Sequence, residues 1–278
     1  MLPVVIGVVG VFGVLIGSFL NVVIWRVPRG ESLVPNSRCP RCEAPIRPWQ
    51  NIPVVSWLAL GGRCASCHER ISARYPLVEL ATAAAFALTA WWWGVSFWQG
   101  AGEGFAPQLS AWLALIAYLW FVAAGIALTL IDLEHRRLPD RIVLPSLFVV
   151  VALLAAAALL LRDWAALGST LGGAAALFLL YLVIAIVYPS GIGGGDVKLA
   201  PLVGAALGFV GWGALVIGAF AGFLVGAVVG LVLIALKRAT RKTGVPFGPS
   251  MLAGAVVGVL WGESLLHAYA LAVGMVRA

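Results

Sequence analysis

Charge is what this sequence has least of. Only 10% of its 278 residues are charged and 62% are apolar, whereas a soluble domain carries about 25% charged residues. The shortage excludes an ordinary soluble domain and implies a polytopic membrane protein. Histidine is scarce as well. The three, His68, His135 and His267, lie far apart, and no His-Glu-x-x-His occurs, so a histidine-rich catalytic metal centre cannot be assembled. Acidic residues number 11 against 18 basic ones. The net charge of +7 does not imply a nucleic-acid partner, because the basic residues gather in a few loops between apolar runs, as membrane loops do. No cleavable signal peptide is expected: the first apolar run is too long and no basic segment precedes it.

What the chain does have is long uncharged runs: 1–25, 80–102, 104–131, 142–161, 164–195 and 199–236, then one from 243 broken only by Glu263. A helix over 199–236 would be roughly 57 Å long, nearly twice a bilayer core. The stretch "GFVGWG" at 208–213 is the expected turn between two passes. The expected fold is therefore all-α, with about eight transmembrane helices near 3–25, 77–94, 111–131, 142–161, 167–188, 197–208, 212–236 and 250–274. Basic residues agree with that split. Arg26, Arg29, Arg38, Arg41, Arg47, Arg63, Arg70, Arg74, Arg136, Arg137, Arg141, Lys198, Lys237, Arg238, Arg241 and Lys242 then share one face, leaving Arg162 and Arg277 on the other. The rich face is expected to be cytoplasmic, with both termini outside.

The only four cysteines form Cys39-x-x-Cys42 and Cys64-x-x-Cys67. Doubled CxxC at this spacing predicts a closed, structural zinc site of four thiolates. The loop is on the expected cytoplasmic side, where disulfides are rare. A loop with little apolar core gains its fold from the metal. His68 adjoins Cys67, but four sulfurs suffice.

Two aspartates sit at membrane boundaries. Asp132 ends the third helix; Asp196 follows "GIGGG" at the sixth. Ionisable groups at membrane depth are functional candidates. Each also has a structural reading: Asp196 as a helix cap, Asp132 as a partner of Arg136 one turn on. Asp140, before "RIVLPSL", suits a capping role better. A cap does not need three glycines, however. Glycine permits positive φ and close backbone approach, and irregular backbone at membrane depth must be buried or line a wet cavity. Two carboxylates facing one pocket would share a proton and could hydrolyse a peptide without metal or covalent intermediate.

"GGGDVK" at 193–198 matches the pattern of the GxGD membrane aspartyl proteases. More narrowly, the chain resembles the type IV prepilin peptidases, through "GSFLNVVIWRVP" at 17–28, the cysteine loop at 39–67, "RYPLVEL" at 74–80, "IDLEHRRLPD" at 131–140 and "VPFGPSMLAGA" at 245–255. The resemblance implies three regions: a first transmembrane helix at 1–25, a cytoplasmic zinc-binding loop at 26–76 and a membrane-embedded protease core at 77–278. It implies that Asp132 and Asp196 are the catalytic pair; Gly193 and Gly195 of the motif, with Lys198 and Glu79, are the candidates for support. It implies cleavage of basic leaders from prepilins and pseudopilins after glycine, at the cytoplasmic face of the bacterial inner membrane. It also implies N-methylation of the new terminus with S-adenosylmethionine, although no glycine-rich nucleotide loop of the soluble methyltransferase type occurs.

Other polar residues have plainer readings. Lys198 can act on Asp196, hold substrate or anchor the helix end. Glu79 can meet a basic leader or pair with Arg74. Asn21 is expected to join helices, and the glycines of 218–230 to allow close packing. Glu134 and His135 are expected to be solvated loop residues, Glu263 and His267 a local polar pair, and Trp91 to Trp93 an interfacial belt. The competing functions are a transporter, which explains the glycine break but not the cysteines, and a non-catalytic zinc-bearing assembly factor of the secretion machinery.

Overall fold

The computed structural model describes residues 2–34, 37–99, 102, 104–188, 192–238 and 246–274. Arg241, Lys242 and Arg277 from the charge count lie outside these, as do Val245 and residues 189–191, which precede the glycines. Nine helices form in the described residues: α1 Leu2–Arg26, α2 Val55–Ala59, α3 Arg74–Trp93, α4 Phe105–His135, α5 Asp140–Leu160, α6 Trp164–Val187, α7 Gly194–Val210, α8 Trp212–Ala235 and α9 Gly248–Ala272. Seven of them are long and apolar enough to cross a membrane. The exceptions are the short α2 and α7, whose 17 residues measure about 25 Å against a bilayer core of about 30 Å. The chain is a multi-pass membrane protein. The break expected at 208–213 is real and falls on Gly211, whose φ of +150° suits glycine.

The chain forms two compact units, Met1–Ser96 and Phe97–Ala278. In the first, α1 packs along α3. Gly13 and Gly17 make this possible: a methyl at Gly13 would lie 2.8 Å from Ala83 Cα, and one at Gly17 2.7 Å from Glu79 Cα. Asn21 donates through Nδ2 to the Tyr75 carbonyl at 3.1 Å, joining the two helices as expected. The tryptophan belt is only partly one. Trp91 is exposed, but Trp92 and Trp93 are packed inside.

In the second unit α7 is the buried centre, packed against α5, α6, α8 and α9. Leu199, Ala200, Leu202, Val203, Ala205, Ala206 and Leu207 are all essentially inaccessible. With no hydrophobic drive between helices in lipid, close approach of small residues holds such a centre. Gly173 of α6 meets Gly204 of α7 so closely that a methyl on Gly173 would lie only 2.5 Å from the Gly204 carbonyl oxygen. Gly218 and Gly222 of α8 pack on Gly254 of α9 in the same way, while Gly230 faces open space. Tyr118 on α4 donates its buried hydroxyl to the Ala206 carbonyl at 2.7 Å.

Glu263 does not act as half of a local pair with His267. Its Oε1 accepts from the backbone N–H of Gly213 at 2.8 Å and of Ala214 at 3.2 Å. It therefore caps α8 from α9, satisfying N–H groups that the first turn of any helix leaves free. The end of α8 could not cap itself, because Gly211 brings no side chain.

Candidate active site and metal site

The turn between α4 and α5 is short because Arg136 takes a left-handed conformation, φ +51°, and its N–H closes on the Asp132 carbonyl at 2.8 Å. That is the ordinary way to end a helix, here with arginine in place of glycine. Pro139 then starts α5. Asp132 thus lies in the last turn of α4, with its side chain turned into the unit and only 5% exposed. Asp196 lies in the first turn of α7 and is 7% exposed. It is the third helical residue rather than the residue before the helix. Its Oδ2 accepts from the Gly193 N–H at 3.1 Å. The capping role and the site role therefore coexist.

The two aspartates are brought to one end of the second unit, near one another. Leu138, in the α4–α5 turn, lies beside the starts of α7 and α9. A methyl at Gly195 would lie 3.1 Å from Leu138 Cβ, and one at Gly248 3.4 Å from its Cδ1 and only 2.9 Å from Asp132 Oδ2. The Gly248 backbone N–H also faces the Asp132 carboxylate. Even so, Asp132 Oδ2 is buried with no hydrogen-bond partner among the described residues. Buried polar atoms are seldom left so. Tyr181 of α6 lies near Asp196; it stacks with Phe223 at 5.4 Å and meets Phe247 at a tilt at 5.9 Å, setting aromatic rings beside this end.

The glycines before Asp196 are not there for positive φ. Gly193 has φ −76°, and Gly194 and Gly195 are already helical. Gly193 and Gly195 supply room instead: a methyl at Gly193 would sit 3.3 Å from Asp196 Oδ2. Nothing in the structure explains Gly194, which has open space around it. Gly248 has a place at the site that the motifs alone do not give it. Gly-Pro at a helix start is the available signal.

Lys198 does not reach Asp196. Its Nζ binds both carboxylate oxygens of Asp140, at 2.9 and 2.8 Å. Asp140 is itself in the first turn of α5, one residue past the capping position expected, and no side chain caps that helix. Glu134 is exposed, but His135 ends α4 with its Nε2 buried, so it is not a solvated loop residue. Glu79, in the first unit, accepts from the Val54 N–H at 2.7 Å, beside the Ser18 hydroxyl.

The cysteines are brought together. Their four Sγ atoms lie within 4.8 Å of one another, and Cys39 and Cys67 Sγ are 3.8 Å apart. Disulfide sulfurs would be about 2.05 Å apart. Tetrahedral zinc with bonds of about 2.3 Å separates its sulfurs by roughly 3.8 Å. The set fits a metal ion. N–H groups of Cys42 and Arg41 turn toward Cys39 and draw its thiol down to about 6, and those of Cys67 and Ser66 lower Cys64. The Glu69 N–H favours the Cys67 thiolate, but desolvation and the neighbouring sulfurs outweigh it and push that thiol up to about 12. Four thiolates cannot all ionise here without a cation among them.

The two knuckles are copies. "RCPRCEAPI" at 38–46 and "RCASCHERI" at 63–71 share R-C-x-x-C-x-x-x-I. The N–H of Glu43 bonds Cys39 O and that of His68 bonds Cys64 O, and Glu43 and His68 both have φ +56°. The repeat is legible in the sequence once the flanking residues are aligned; the spacing of the cysteines alone misses it. His68 is exposed and stands outside the four-sulfur set.

Comparison with known proteins accords with this arrangement. Residues 11–93 match the family model of the bacterial peptidase A24 N-terminal domain, and residues 119–232 match that of the type IV leader peptidase family. Prepilin leader peptidase/N-methyltransferases are similar along nearly their whole length. That of Pseudomonas aeruginosa is 35% identical over 92% of this chain and 90% of its own. The Neisseria gonorrhoeae protein is 35% identical over 90% and 88%, and the Bacillus subtilis protein 34% identical over 93% and 95%. No solved structure matches the chain. With both of its halves matched in order and its relatives aligned end to end, the chain belongs to the type IV leader peptidase family.

Proposed function

We propose that this protein is a membrane aspartyl endopeptidase that removes the basic leader of type IV prepilins and pseudopilins after glycine, and that it N-methylates the new terminus. The observation that carries the peptidase reading is the pair itself. Asp132 and Asp196 come from different helices and are buried at one end of one unit, and among the described residues Asp132 Oδ2 is buried with no hydrogen-bond partner.

In the proposed mechanism the pair shares one proton. One carboxylate takes a proton from a water as its oxygen bonds to the scissile carbonyl carbon. The protonated partner gives its hydrogen bond to the carbonyl oxygen. Collapse of the tetrahedral intermediate breaks the C–N bond, and a proton passes from the pair to the leaving amine. Gly193 fixes one oxygen of Asp196 through its N–H, while Gly195 and Gly248 leave the room that both acids need. Lys198 supports the site at one remove, by tying the start of α7 to Asp140 on α5. Glu79, in the first unit, holds the cysteine loop at Val54.

Zinc, when bound by Cys39, Cys42, Cys64 and Cys67, supplies a structural cross-link and leaves no position open for substrate. S-adenosylmethionine is the proposed methyl donor; no residue of the chain is assigned to it. The distribution of basic residues supports an active end facing the cytoplasm of a bacterial inner membrane. The test is a purified prepilin incubated in lipid with the enzyme and S-adenosylmethionine. Mass spectrometry should find the mature chain, cut after the leader glycine and heavier by one methyl group. A prepilin left intact by folded enzyme would refute the peptidase reading and favour an assembly role; a cut but unmethylated product would refute only the second activity.

A further inference from the structure

The loop between α1 and α3 carries most of the basic residues of the first unit, yet its middle has none. Residues 48–62, "PWQNIPVVSWLALGG", hold no charge and lie between Arg47 and Arg63. An apolar stretch of this length is too short to span and suits an interfacial segment. The knuckles do not absorb it. Trp57 does turn inward, donating to the Ile71 carbonyl at 3.1 Å and packing on Gly62. Its neighbours face the other way: Trp49 is 60% exposed, Ile52 47%, Val55 59% and Leu58 65%. Ile52, Val55 and Leu58 recur every third residue, so they share one side of the turn that becomes α2.

The depth of this tip is fixed independently. Val54 donates its N–H to Glu79 Oε2 at 2.7 Å. Glu79 lies five residues beyond Arg74, where α3 begins, or about 7.5 Å along the helix axis. The tip is therefore drawn below the start of a membrane helix rather than held out in water. Val54 has φ +61° and ψ −52°, a conformation that β-branched residues rarely adopt. Such a residue persists only where its surroundings hold it, and Glu79 is that hold. At the rim, the guanidinium of Arg47 lies 5.3 Å from the Trp49 ring centroid. A tryptophan with an arginine beside it is a pairing that suits the headgroup level.

We propose that the Trp49–Leu58 tip of the metal-binding loop is a membrane anchor, with Ile52, Val55 and Leu58 inserted at the headgroup–acyl boundary of the leaflet where α3 begins, and that the carboxylate of Glu79 sets its depth. The partner is lipid, because the tip shares the depth of a membrane helix and exposes hydrocarbon there. Arg47 and Arg63 flank it in position to meet anionic headgroups.

The experiment uses the full-length wild-type chain in nanodiscs of phosphatidylcholine and phosphatidylglycerol, doped with a phospholipid carrying a photoreactive diazirine in its acyl chain. After irradiation and proteolysis, labelled peptides are quantified. The expected result is that peptide 49–60 carries at least tenfold more lipid adduct than the knuckle peptides 38–46 and 63–71. Replacing Ile52, Val55 and Leu58 together by serine, in chains with unchanged thermal unfolding, should lower that labelling at least fivefold. Equal labelling of tip and knuckles in the wild type overturns the proposal. So does labelling at 49–60 that added prepilin abolishes, or cross-linking of 49–60 only to protein, its own chain or a second copy, when a protein-directed photoprobe is used. No activity is read, so the outcome is independent of the proposed function.

Discussion

Lys198 closes on Asp140, both carboxylate oxygens within 2.9 Å of its Nζ, and the acid two residues before it is left to other partners. Both side chains of the pair are about half exposed. Ion pairs of that kind contribute about 0.2–1 kcal/mol. Lys198→Ala should therefore lower kcat/KM for prepilin by no more than about fivefold, and exchanging the two residues, Lys198→Asp with Asp140→Lys, should recover part of it. A hundredfold loss that the exchange leaves unrepaired would put Lys198 on the substrate instead.

The aspartates should behave otherwise. Asp132→Asn and Asp196→Asn keep size and burial but cannot exchange a proton. Each is expected to cut cleavage by about a thousandfold or more, and the double variant to be no worse than the singles, as a pair acting as one unit would behave. Thermal unfolding of each variant, measured beside cleavage, separates lost chemistry from lost fold. Additive losses would mean that the two acids work separately.

Three glycines give a graded test of space. Gly194→Ala meets nothing within 4 Å and should stay within about twofold of wild type, with alanine slightly favouring the helix. Gly195→Ala presses on Leu138 and should lose activity moderately. Gly248→Ala places its methyl 2.9 Å from Asp132 Oδ2 and should lose at least about tenfold in kcat. Any other order in parallel cleavage assays would show that these glycines matter for something besides room.

Zinc binding to the cysteines should tighten as pH rises from about 6 to 8. The sign follows from the thiols. Cys67, pushed up to about 12, keeps its proton at neutral pH until a metal displaces it, so binding releases protons and acid opposes it. Competition with a chromophoric chelator at several pH values measures this. Chelation or Cys39→Ser should loosen residues 37–72 to hydrogen exchange while leaving the protection of α4 to α9 unchanged. A pH-independent affinity would contradict the four-thiolate site.

Glu263 should matter for stability and not for chemistry. Glu263→Ala leaves the N–H groups of Gly213 and Ala214 without their acceptor and should cost about 1–3 kcal/mol. Glu263→Gln keeps an acceptor oxygen and should cost less. Thermal unfolding of the two variants decides it; equal stability with wild type would show the cap to be idle.

The sequence carried the helix pattern, the break at Gly211 and the meeting of the four cysteines, because each is written in local composition or spacing. The pairing of Asp132 and Asp196 was legible through the resemblance carried by their two motifs and through charge asymmetry, which places loops on a common face without fixing distances. Glu263 was misread for a physical reason: its partners, Gly213 and Ala214, are backbone groups on another helix, and backbone groups leave no mark in a sequence. The same holds for Glu79 and Val54, and for Gly248 against Asp132. Lys198 was close to Asp196 along the chain, but side chains two apart on a helix do not face one another, and that rule was enough to doubt the pairing.

Both acids also stand at the beginning of a helix: Asp196 in the opening turn of α7, Asp132 against the first N–H of α9. The peptide dipoles of a helix leave its start partly positive. The backbone thus compensates these carboxylates where other buried acids use an arginine or a metal ion. Compensation of that kind is fixed in place and cannot be titrated, chelated or exchanged for a counterion. It is also only partial, so two buried carboxylates this near one another still favour holding a proton between them.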